Sequence, residues 1–533
     1  MTDPTDRLRA NLHAAGLPVN EADLAGIAAR GFLSRLADFE RLLATVNPEQ
    51  MPDYLDFGSL PVPSVTPSVA SLPLSALPGA ITTVAAQIRT GTTSPVALTE
   101  QALARIAALN PRLNAFQLVM AEQARAAARC ATTELGAGQD RGPLHGVPVA
   151  VKDLFAVAGH PNAAGSKLRA DRIATTDATA VARLRAAGAI IVGITRMSEF
   201  AYSPGSNNAH YGPTANPFDQ TRDTGGSSSG SSAAVAAGMV YAALGSDTGC
   251  SIRIPAAFCG LVGLKPTWGR VSLAGAMPLA WSLDHAGPLT RSVGDAALML
   301  AILAGPDQRD GRTLQAVPPF TTGTLTAGVT GLRVGFLRDD GSGSPLASPE
   351  QLGAVQRAAT ALAAAGASVV EVDLPQLDTL RVIGSAILAM EAAALHVPWL
   401  RTHFTMYGEF MRQRLIAALA YEAGAFVRAQ QVRAALRQGA STLFAQVDVL
   451  LGPIFAGPLP ALGVPAANAN VFAIPFNCLG WPALTQPAGL GSDGLPLAVQ
   501  LIAAPWQEAT LLRAAYVVEQ ALGLLTPALG GAG

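Results

Sequence analysis

Three segments of the chain carry amine and hydroxyl side chains whose spacing suits nucleophilic chemistry. An apolar run ends in Lys152, a Gly/Ser-rich stretch contains Ser227, and a third segment contains Ser251. Lys152 lies 75 residues before Ser227, which lies 24 residues before Ser251. A serine hydroxyl is a poor nucleophile until a base takes its proton. A lysine can act as that base only when it is neutral, which requires a desolvated amine.

The local sequence indicates how these side chains are positioned. The apolar run at 147–151 predicts a buried strand that ends at Lys152. Adjacent side chains of a strand point to opposite faces, so Asp153 is expected to point away from the amine. The Gly/Ser-rich stretch at 224–238 leads into an Ala-rich helix, where glycine permits tight turns and the helix start leaves free N–H groups. Taken alone, each segment also fits an ordinary loop or strand end.

In this order and spacing, the three segments resemble those of the amidase signature family. Residues 144–153 resemble its lysine segment, 225–238 its glycine-serine signature and 247–255 its nucleophile segment. Further blocks at 258–267, 476–484 and 494–501 are similar as well, so the resemblance extends from about residue 82 to about residue 521. The resemblance implies an α/β fold with a large mixed, mostly parallel sheet flanked by helices on both faces.

The resemblance also implies a catalytic triad. Ser251 would be the nucleophile, and Lys152 the base. Ser227 would bridge the two after a cis peptide bond to Gly226, and it would also contact the substrate. Such a site is expected to need no metal ion or organic cofactor.

The residues around the nucleophile have expected roles of their own. Backbone N–H groups of Thr248, Gly249, Cys250 and Ser251 would form the oxyanion hole. Cys250 stands where many family members have glycine, but its N–H is still available. Two further pairs are predicted near the site: Asp247 with Arg253, which would support the loop, and Ala201 with Tyr202, which would contact the substrate.

Composition narrows the class of protein. Of 533 residues, 50% are hydrophobic and 14% are charged, and the formal net charge is −1. This balance predicts a large core and gives no electrostatic argument for nucleic acid or an anionic membrane. The four scattered cysteines lack metal-ligand spacing, and the N-terminus has no signal-peptide core. We therefore expect a cytoplasmic protein with a small-molecule amide or carbamate substrate, without a nucleic-acid or membrane partner.

The chain divides into three predicted parts. Residues 1–58 show helical periodicity, 59–79 form a Pro-rich linker, and 80–533 form the amidase signature domain. The first part faintly resembles the small helical C subunit of tRNA-dependent amidotransferases. It is expected to pack its apolar face on the main domain or on a second protomer, which makes a homodimer possible.

The favoured function is hydrolysis of carbonyl–nitrogen bonds in non-peptide amides, namely aryl or primary amides and carbamates (urethanes). The low charge favours a neutral, hydrophobic substrate. One alternative is the glutaminase (A-type) subunit of a tRNA-dependent amidotransferase. Another is a non-catalytic binding protein on an amidase fold, against which the presence of Lys152, Ser227 and Ser251 argues.

Overall fold

A computed structural model of the protein describes residues 4–18, 21–45, 78–314, 320, 322–337, 347–374, 376–464 and 469–528. These residues contain eleven strands in one sheet. The strands are β1 (Phe116–Val119), β2 (Pro148–Lys152), β3 (Ile190–Thr195), β4 (Ala242–Asp247), β5 (Val262–Lys265), β6 (His285–Thr290), β7 (Arg333–Leu337), β8 (Ser368–Val372), β9 (Val449–Pro453), β10 (Ala483–Leu490) and β11 (Pro496–Ala503).

The helices of the described residues lie before, between and after these strands. They are α1 (Pro4–Ala14), α2 (Glu21–Ala29), α3 (Phe32–Thr45), α4 (Ala80–Arg89), α5 (Pro95–Leu113), α6 (Ala121–Gly136), α7 (Thr179–Ala186), α8 (Ser229–Ala236), α9 (Arg253–Phe258), α10 (Val293–Leu303), α11 (Pro349–Ala364), α12 (Leu377–His403), α13 (Glu409–Ala417), α14 (Ala425–Ser441), α15 (Ile474–Leu479) and α16 (Glu508–Leu522).

The strand order is β1-β3-β2-β4-β6-β5-β10-β11-β9-β7-β8. The α/β class and the large mixed sheet are therefore confirmed. Four of the ten strand pairings are parallel, so the prediction of a mostly parallel sheet is wrong in this detail. The parallel pairs β2–β3, β2–β4, β7–β8 and β7–β9 flank a central antiparallel group formed by β4, β6, β5, β10, β11 and β9.

The inner strands of the sheet, such as β2 and β4, are buried on both faces, which explains their apolar sequences. In β2, Val149 and Val151 belong to one hydrophobic cluster, whereas Ala150 between them belongs to another. In β4, Leu244 and Ala243 divide in the same way. Because side chains alternate across a strand, a sheet covered on both faces needs apolar residues at every position.

Of the N-terminal helices, α2 packs against α13 and α3 against α12 and α13, whereas α1 packs on the short turn of helix at Ala418–Ala420. Leu8, Ile27 and Phe39 are at most 1% exposed and belong to the same hydrophobic cluster as the strands. Asp23 and Arg412 form an ion pair of 2.8 Å across this contact. The helices thus bury their apolar face on the same chain. The predicted linker lies outside the described residues except for its last two positions, and the three-part division stays a prediction.

Judged by length and composition alone, one helical segment of the described residues, Leu377–Met406, is long and apolar enough to cross a membrane. However, 61% of its most apolar window is buried inside the protein. Core helices of globular proteins often have this character.

We expect Phe39→Ala to destabilise the whole protein. The ring is buried and meets Tyr421 edge-on at a centroid distance of 5.2 Å. Truncating a buried phenylalanine costs about 3–5 kcal/mol, so the thermal unfolding midpoint followed by circular dichroism should fall by several degrees. Val427→Ala is the control, because Val427 is half exposed. Equal midpoints for the two variants would show that α3 is not part of the core.

Candidate active site

Lys152 ends β2 and is completely buried. Its Nζ donates hydrogen bonds to Ser227 Oγ at 2.7 Å, Ser228 Oγ at 2.9 Å and Ser246 Oγ at 2.8 Å. Burial lowers the pKa of Lys152 to about 7, although the more distant charges of Asp247 and other groups oppose that shift. A lysine with this pKa is partly neutral at physiological pH, which is the state that a general base needs.

Asp153, the next residue, does not neutralise this amine. Its carboxylate accepts hydrogen bonds from the backbone N–H of Gly165 at 2.8 Å and of Ala163 at 3.2 Å. Burial raises the pKa of Asp153 to about 7, against the effect of those hydrogen bonds. The alternation of side chains at the end of the strand thus keeps the carboxylate apart from the lysine.

The Gly/Ser-rich stretch approaches its neighbours too closely for larger residues. The peptide bond between Gly226 and Ser227 is cis. A Cβ atom on Gly226 would lie 2.1 Å from the carbonyl oxygen of Gly205, so only glycine fits there. Ser227 is fully buried beside Lys152, and α8 begins two residues later at Ser229.

The nucleophile segment is the loop between β4 and α9. Ser251 is 5% exposed and lines a cavity. Its carbonyl oxygen accepts a hydrogen bond of 3.2 Å from the N–H of Ser228, which joins this loop to the Gly/Ser-rich stretch. The three segments singled out in the sequence therefore meet in one place.

The backbone N–H groups of this loop are available to a ligand. Within the described residues, none of the N–H groups of Thr248, Gly249, Cys250 and Ser251 donates a hydrogen bond. The Thr248 side chain donates to Asp284 Oδ1 at 2.6 Å, which fixes the start of the loop. Such a row of free donors can stabilise a developing oxyanion.

Cys250 fits this loop without strain. Cys250 is not one of the non-glycine residues with a positive φ, so its backbone φ is negative. Burial raises the pKa of the Cys250 thiol to about 12, and the nearby Asp247 carboxylate adds to the effect. The thiol is therefore protonated near neutral pH and is a weak nucleophile.

Asp247 and Arg253 clamp the two ends of the loop. Two parallel hydrogen bonds of 3.0 Å join Arg253 Nε and Nη2 to the Asp247 carboxylate, and both side chains are fully buried. Burial alone would raise the pKa of Asp247, but the charge and hydrogen bonds of Arg253 hold it well below its usual range. Asp247 also accepts from the N–H of Ile252 at 3.1 Å.

Several contributors were not predicted from the sequence. Ser228 and Ser246 complete the hydroxyl shell of Lys152. Asn477 donates to Asp247 Oδ1 at 2.9 Å, and Gln500 accepts from Arg253 Nη1 at 2.7 Å. Both amides lie in the C-terminal blocks that resemble the family, and this was the available signal. Their partners depend on tertiary contacts more than 220 residues apart in the chain.

The cavity beside Ser251 has a volume of about 320 Å³. Ala201 and Tyr202 line it, in the place where the sequence predicts substrate contact. Ser227, the third residue predicted to contact substrate, has no exposed surface and is not part of this lining. The lining also includes residues of the N-terminal helices and their connecting turn, which the sequence did not predict: Ala29, Arg30, Phe32 and Arg35.

Groups of three or more His, Cys, Asp or Glu side chains that could hold a metal ion do not occur within the described ranges.

The protein is similar to known enzymes along most of its length. The family model Amidase matches residues 97–512. The A subunit of glutamyl-tRNA(Gln) amidotransferase from Anaeromyxobacter dehalogenans is 41% identical over 81% of this chain and 94% of its own. A solved chain from a vestigial protein complex, described with the origins of an s-triazine catabolic enzyme, is 38% identical with a TM-score of 0.79, covering 83% of this chain and 98% of its own. The peptide amidase of Stenotrophomonas maltophilia is 31% identical with a TM-score of 0.74, covering 84% and 98%.

These similarities correct one prediction and settle the family. The expectation that the protein has no nucleic-acid partner is wrong, because amidotransferase subunits named for a tRNA are among the similar proteins. The net charge of the chain bears only on direct electrostatic contact and is silent about roles within an assembly. The family match covers well over half of the chain and includes all three motif segments. The chain belongs to the amidase signature family and is an enzyme that hydrolyses carbon–nitrogen bonds.

Proposed function

We propose that Ser251 is the nucleophile of an amidohydrolase in which Ser227 and Lys152 relay protons. The observation that carries this proposal is the buried hydrogen bond of 2.7 Å between Lys152 and Ser227, with a lysine pKa of about 7. The free N–H groups of the loop from Thr248 to Ser251 support it, because they offer an oxyanion hole beside the same cavity. Both features argue against a non-catalytic binding protein.

In the proposed cycle, neutral Lys152 takes the proton of Ser227 while Ser227 takes that of Ser251. The Ser251 oxygen then bonds to the carbonyl carbon of the substrate, and the carbonyl oxygen becomes an oxyanion held by the loop N–H groups. As the carbon–nitrogen bond breaks, Ser227 gives its proton to the leaving nitrogen and recovers one from Lys152. Water cleaves the ester by the same relay and restores the Ser251 hydroxyl.

We propose that one link of the relay, between Ser227 and Ser251, forms only when substrate binds. Among the hydrogen bonds of the described residues, none joins Ser227 Oγ to Ser251 Oγ. Catalytic hydrogen bonds are often loose in a free enzyme and tighten in the complex. The proposal therefore includes a rotation of the Ser251 side chain when the cavity fills.

The similar proteins favour one substrate for this reaction. Because similar sequences are named as A subunits of glutamyl-tRNA(Gln) amidotransferase, we propose glutamine as a substrate and its side-chain ammonia as the product that a partner acting on tRNA would use. The similarity to a peptide amidase favours a second candidate, a stand-alone amidase of aryl or primary amides or carbamates. Either enzyme would use the same triad, and we propose a cytoplasmic location for both.

Ser251→Ala should abolish turnover, because no other activated nucleophile lines the described part of the cavity. We expect kcat/KM to fall by at least about 10⁴-fold, as in other serine hydrolases that lose the nucleophile. The measurement is release of the leaving amine from whichever substrate the parent cleaves: ammonia from a primary amide and the aryl amine from an anilide. Ser492→Ala is the matched control, since Ser492 is exposed and distant in sequence from all three motif segments. Retained turnover in Ser251→Ala would overturn the mechanism.

A substrate panel separates the two candidate functions. Purified protein is assayed alone on glutamine, a primary amide, an anilide and a carbamate. Cleavage of the anilide or carbamate by the protein alone would establish the stand-alone enzyme. Ammonia from glutamine that rises when an amidotransferase partner, tRNA and ATP are added would establish the amidotransferase role.

The activity should rise with pH through about pH 7. Lys152 works as a base only when neutral, and its pKa lies at about 7. Below that pH the lysine is protonated and kcat/KM should fall about tenfold per unit; above it the rate should reach a plateau. The measurement uses an uncharged amide, so that the substrate does not titrate.

A matched control variant tests whether Lys152 causes the fall in kcat/KM below pH 7. Burial raises the pKa of Glu391 to about 7 as well, yet its carboxylate accepts from the N–H of Ser282 away from the triad. Glu391→Gln should therefore keep the same limb. If that variant loses the limb, Lys152 is not the group that controls the rate.

A further inference from the structure

The hydroxyl cage around Lys152 meets a second cavity, which is distinct from the first cavity beside Ser251. The second cavity has a volume of about 460 Å³ and a mainly apolar wall. Trp281 and Gly311 in that wall are exposed, so the cavity opens at the protein surface. Within the described residues, the linings of the two cavities share no residue. The protein therefore offers two separate approaches to the site.

Ser246 is the member of the cage that lines the second cavity. Its Oγ accepts the hydrogen bond of 2.8 Å from Lys152 Nζ. The other two hydroxyls of the cage, those of Ser227 and Ser228, are fully buried, and among the described residues they line neither cavity. The buried amine of Lys152 is thus separated from the second cavity by a single hydroxyl group.

The Ser246 hydroxyl has the polarity that proton transfer needs. Its oxygen accepts from the amine, and within the described part of the chain no group accepts its own hydrogen. Ser228 differs, because its hydroxyl donates to the carbonyl oxygen of Ser246 at 3.3 Å. A hydroxyl can accept one proton while it donates another. The Ser246 hydroxyl is therefore able to donate into the second cavity while it accepts from Lys152.

Lys152 needs such a path because its charge changes near neutral pH. Burial lowers the pKa of Lys152 to about 7, so part of the protein carries a protonated lysine at that pH. A substrate that binds to this form fills the first cavity beside Ser251. The lysine can then act as a base only after its proton has left in another direction.

The charges around Lys152 also favour the side of the second cavity. Asp247, Asp284 and Cys250 all favour the charged form of the lysine. Asp247 is paired with Arg253, and the Cys250 thiol is protonated near neutral pH. Asp284 lines the second cavity, and burial raises the pKa of its carboxyl group. A carboxylate with a raised pKa attracts a proton in transit more strongly than an ordinary one.

We propose that Lys152 exchanges protons with solvent through Ser246 and the second cavity. One proton passes from the Lys152 ammonium to Ser246 Oγ while the Ser246 hydroxyl proton passes to a water molecule in the cavity. The lysine becomes neutral, Ser246 stays neutral, and the water carries the proton to bulk solvent. Ser246 is a positioning residue, because it acts through Lys152 and touches no substrate. The inference rests on the proposed function, in which Lys152 is the base.

NMR can follow this exchange directly, because the chain contains three lysines, namely Lys152, Lys167 and Lys265. The sample is the Ser251→Ala protein labelled with ¹³C at lysine Cε, since this variant lacks the hydroxyl that would link Ser227 to the first cavity. Near pH 7 we expect one averaged Lys152 signal that moves with pH, which indicates fast proton exchange. Ser246→Ala in that background should split it into separate signals for the charged and the neutral amine. Ser246→Thr keeps the hydroxyl and should restore the averaged signal.

A matched control separates proton exchange from a structural role. Ser228→Ala removes another hydrogen bond from the same amine, one of 2.9 Å, without changing the second cavity. It should shift the titration of Lys152 and keep one averaged signal. Ala276→Phe leaves the cage intact but fills the second cavity, so it should split the signal, and it replaces Ser246→Ala if that variant does not fold. An averaged signal in Ser246→Ala, or a split signal in Ser228→Ala, would overturn the proposal.

Turnover provides a second measurement, made on the amide of the substrate panel that the parent cleaves. In dilute buffer near pH 7, Ser246→Ala should lower kcat at least about tenfold. Imidazole is small enough to enter a cavity of about 460 Å³ and should restore kcat, whereas the parent and Ser228→Ala should not respond to it. An averaged signal that depends on Ser246 in a protein without turnover would sink the proposed function and keep the proton path. Turnover that depends on Ser251, with an averaged signal in Ser246→Ala, would do the opposite.

Discussion

The structure of the site depends on one desolvated amine. Lys152 is enclosed by the hydroxyls of Ser227, Ser228 and Ser246, and the carboxylate next to it in sequence is bonded elsewhere. A direct ion pair would hold the lysine charged and make it useless as a base. Neutral donors and acceptors satisfy its hydrogen bonds without supplying a counter-charge. The apolar β2 strand buries the amine, and Arg253 pairs with the Asp247 carboxylate, whose charge favours the protonated lysine.

The sheet brings the proposed triad together through a parallel pair of strands. β2 and β4 run side by side in the same direction, with Val149 opposite Ala242 and Val151 opposite Leu244. Their carboxyl ends therefore meet at one edge, where Lys152 ends one strand and the nucleophile loop follows the other. Clefts outside the carboxyl ends of parallel strands are common ligand sites in α/β proteins. The antiparallel remainder of the sheet supplies the supporting shell, since Asn477 precedes β10 and Gln500 lies within β11.

The sequence predicts those features of the site that depend on residues close together in the chain. The apolar run before Lys152 indicates its buried strand, and the motif segments indicate that Ser227 meets it. The prediction of a mostly parallel sheet failed because a fully buried antiparallel strand such as β11 is nearly as apolar along its length as a parallel strand. The partners of Ser246 and Asn477 arise from contacts distant in sequence, so periodicity carries no trace of them. The position of Arg35 in the wall of the cavity that contains Ser251 follows from how α3 packs on α12 and α13, and no motif marks it. Net charge failed to exclude a nucleic-acid partner for another reason: it averages over the chain and is silent about roles within an assembly.

The wall contributed by α3 has a consequence for how this enzyme can diversify. The residues that we propose to make and break bonds lie in the three motif segments, whereas Phe32 and Arg35 lie in a helix that precedes the family match at residue 97. Changes in α3 can alter the size and charge of the pocket while leaving the reaction machinery untouched. The reaction and the choice of substrate are thereby encoded by different segments of one chain. A lineage could exchange the helical region and acquire a new substrate without rebuilding the sheet.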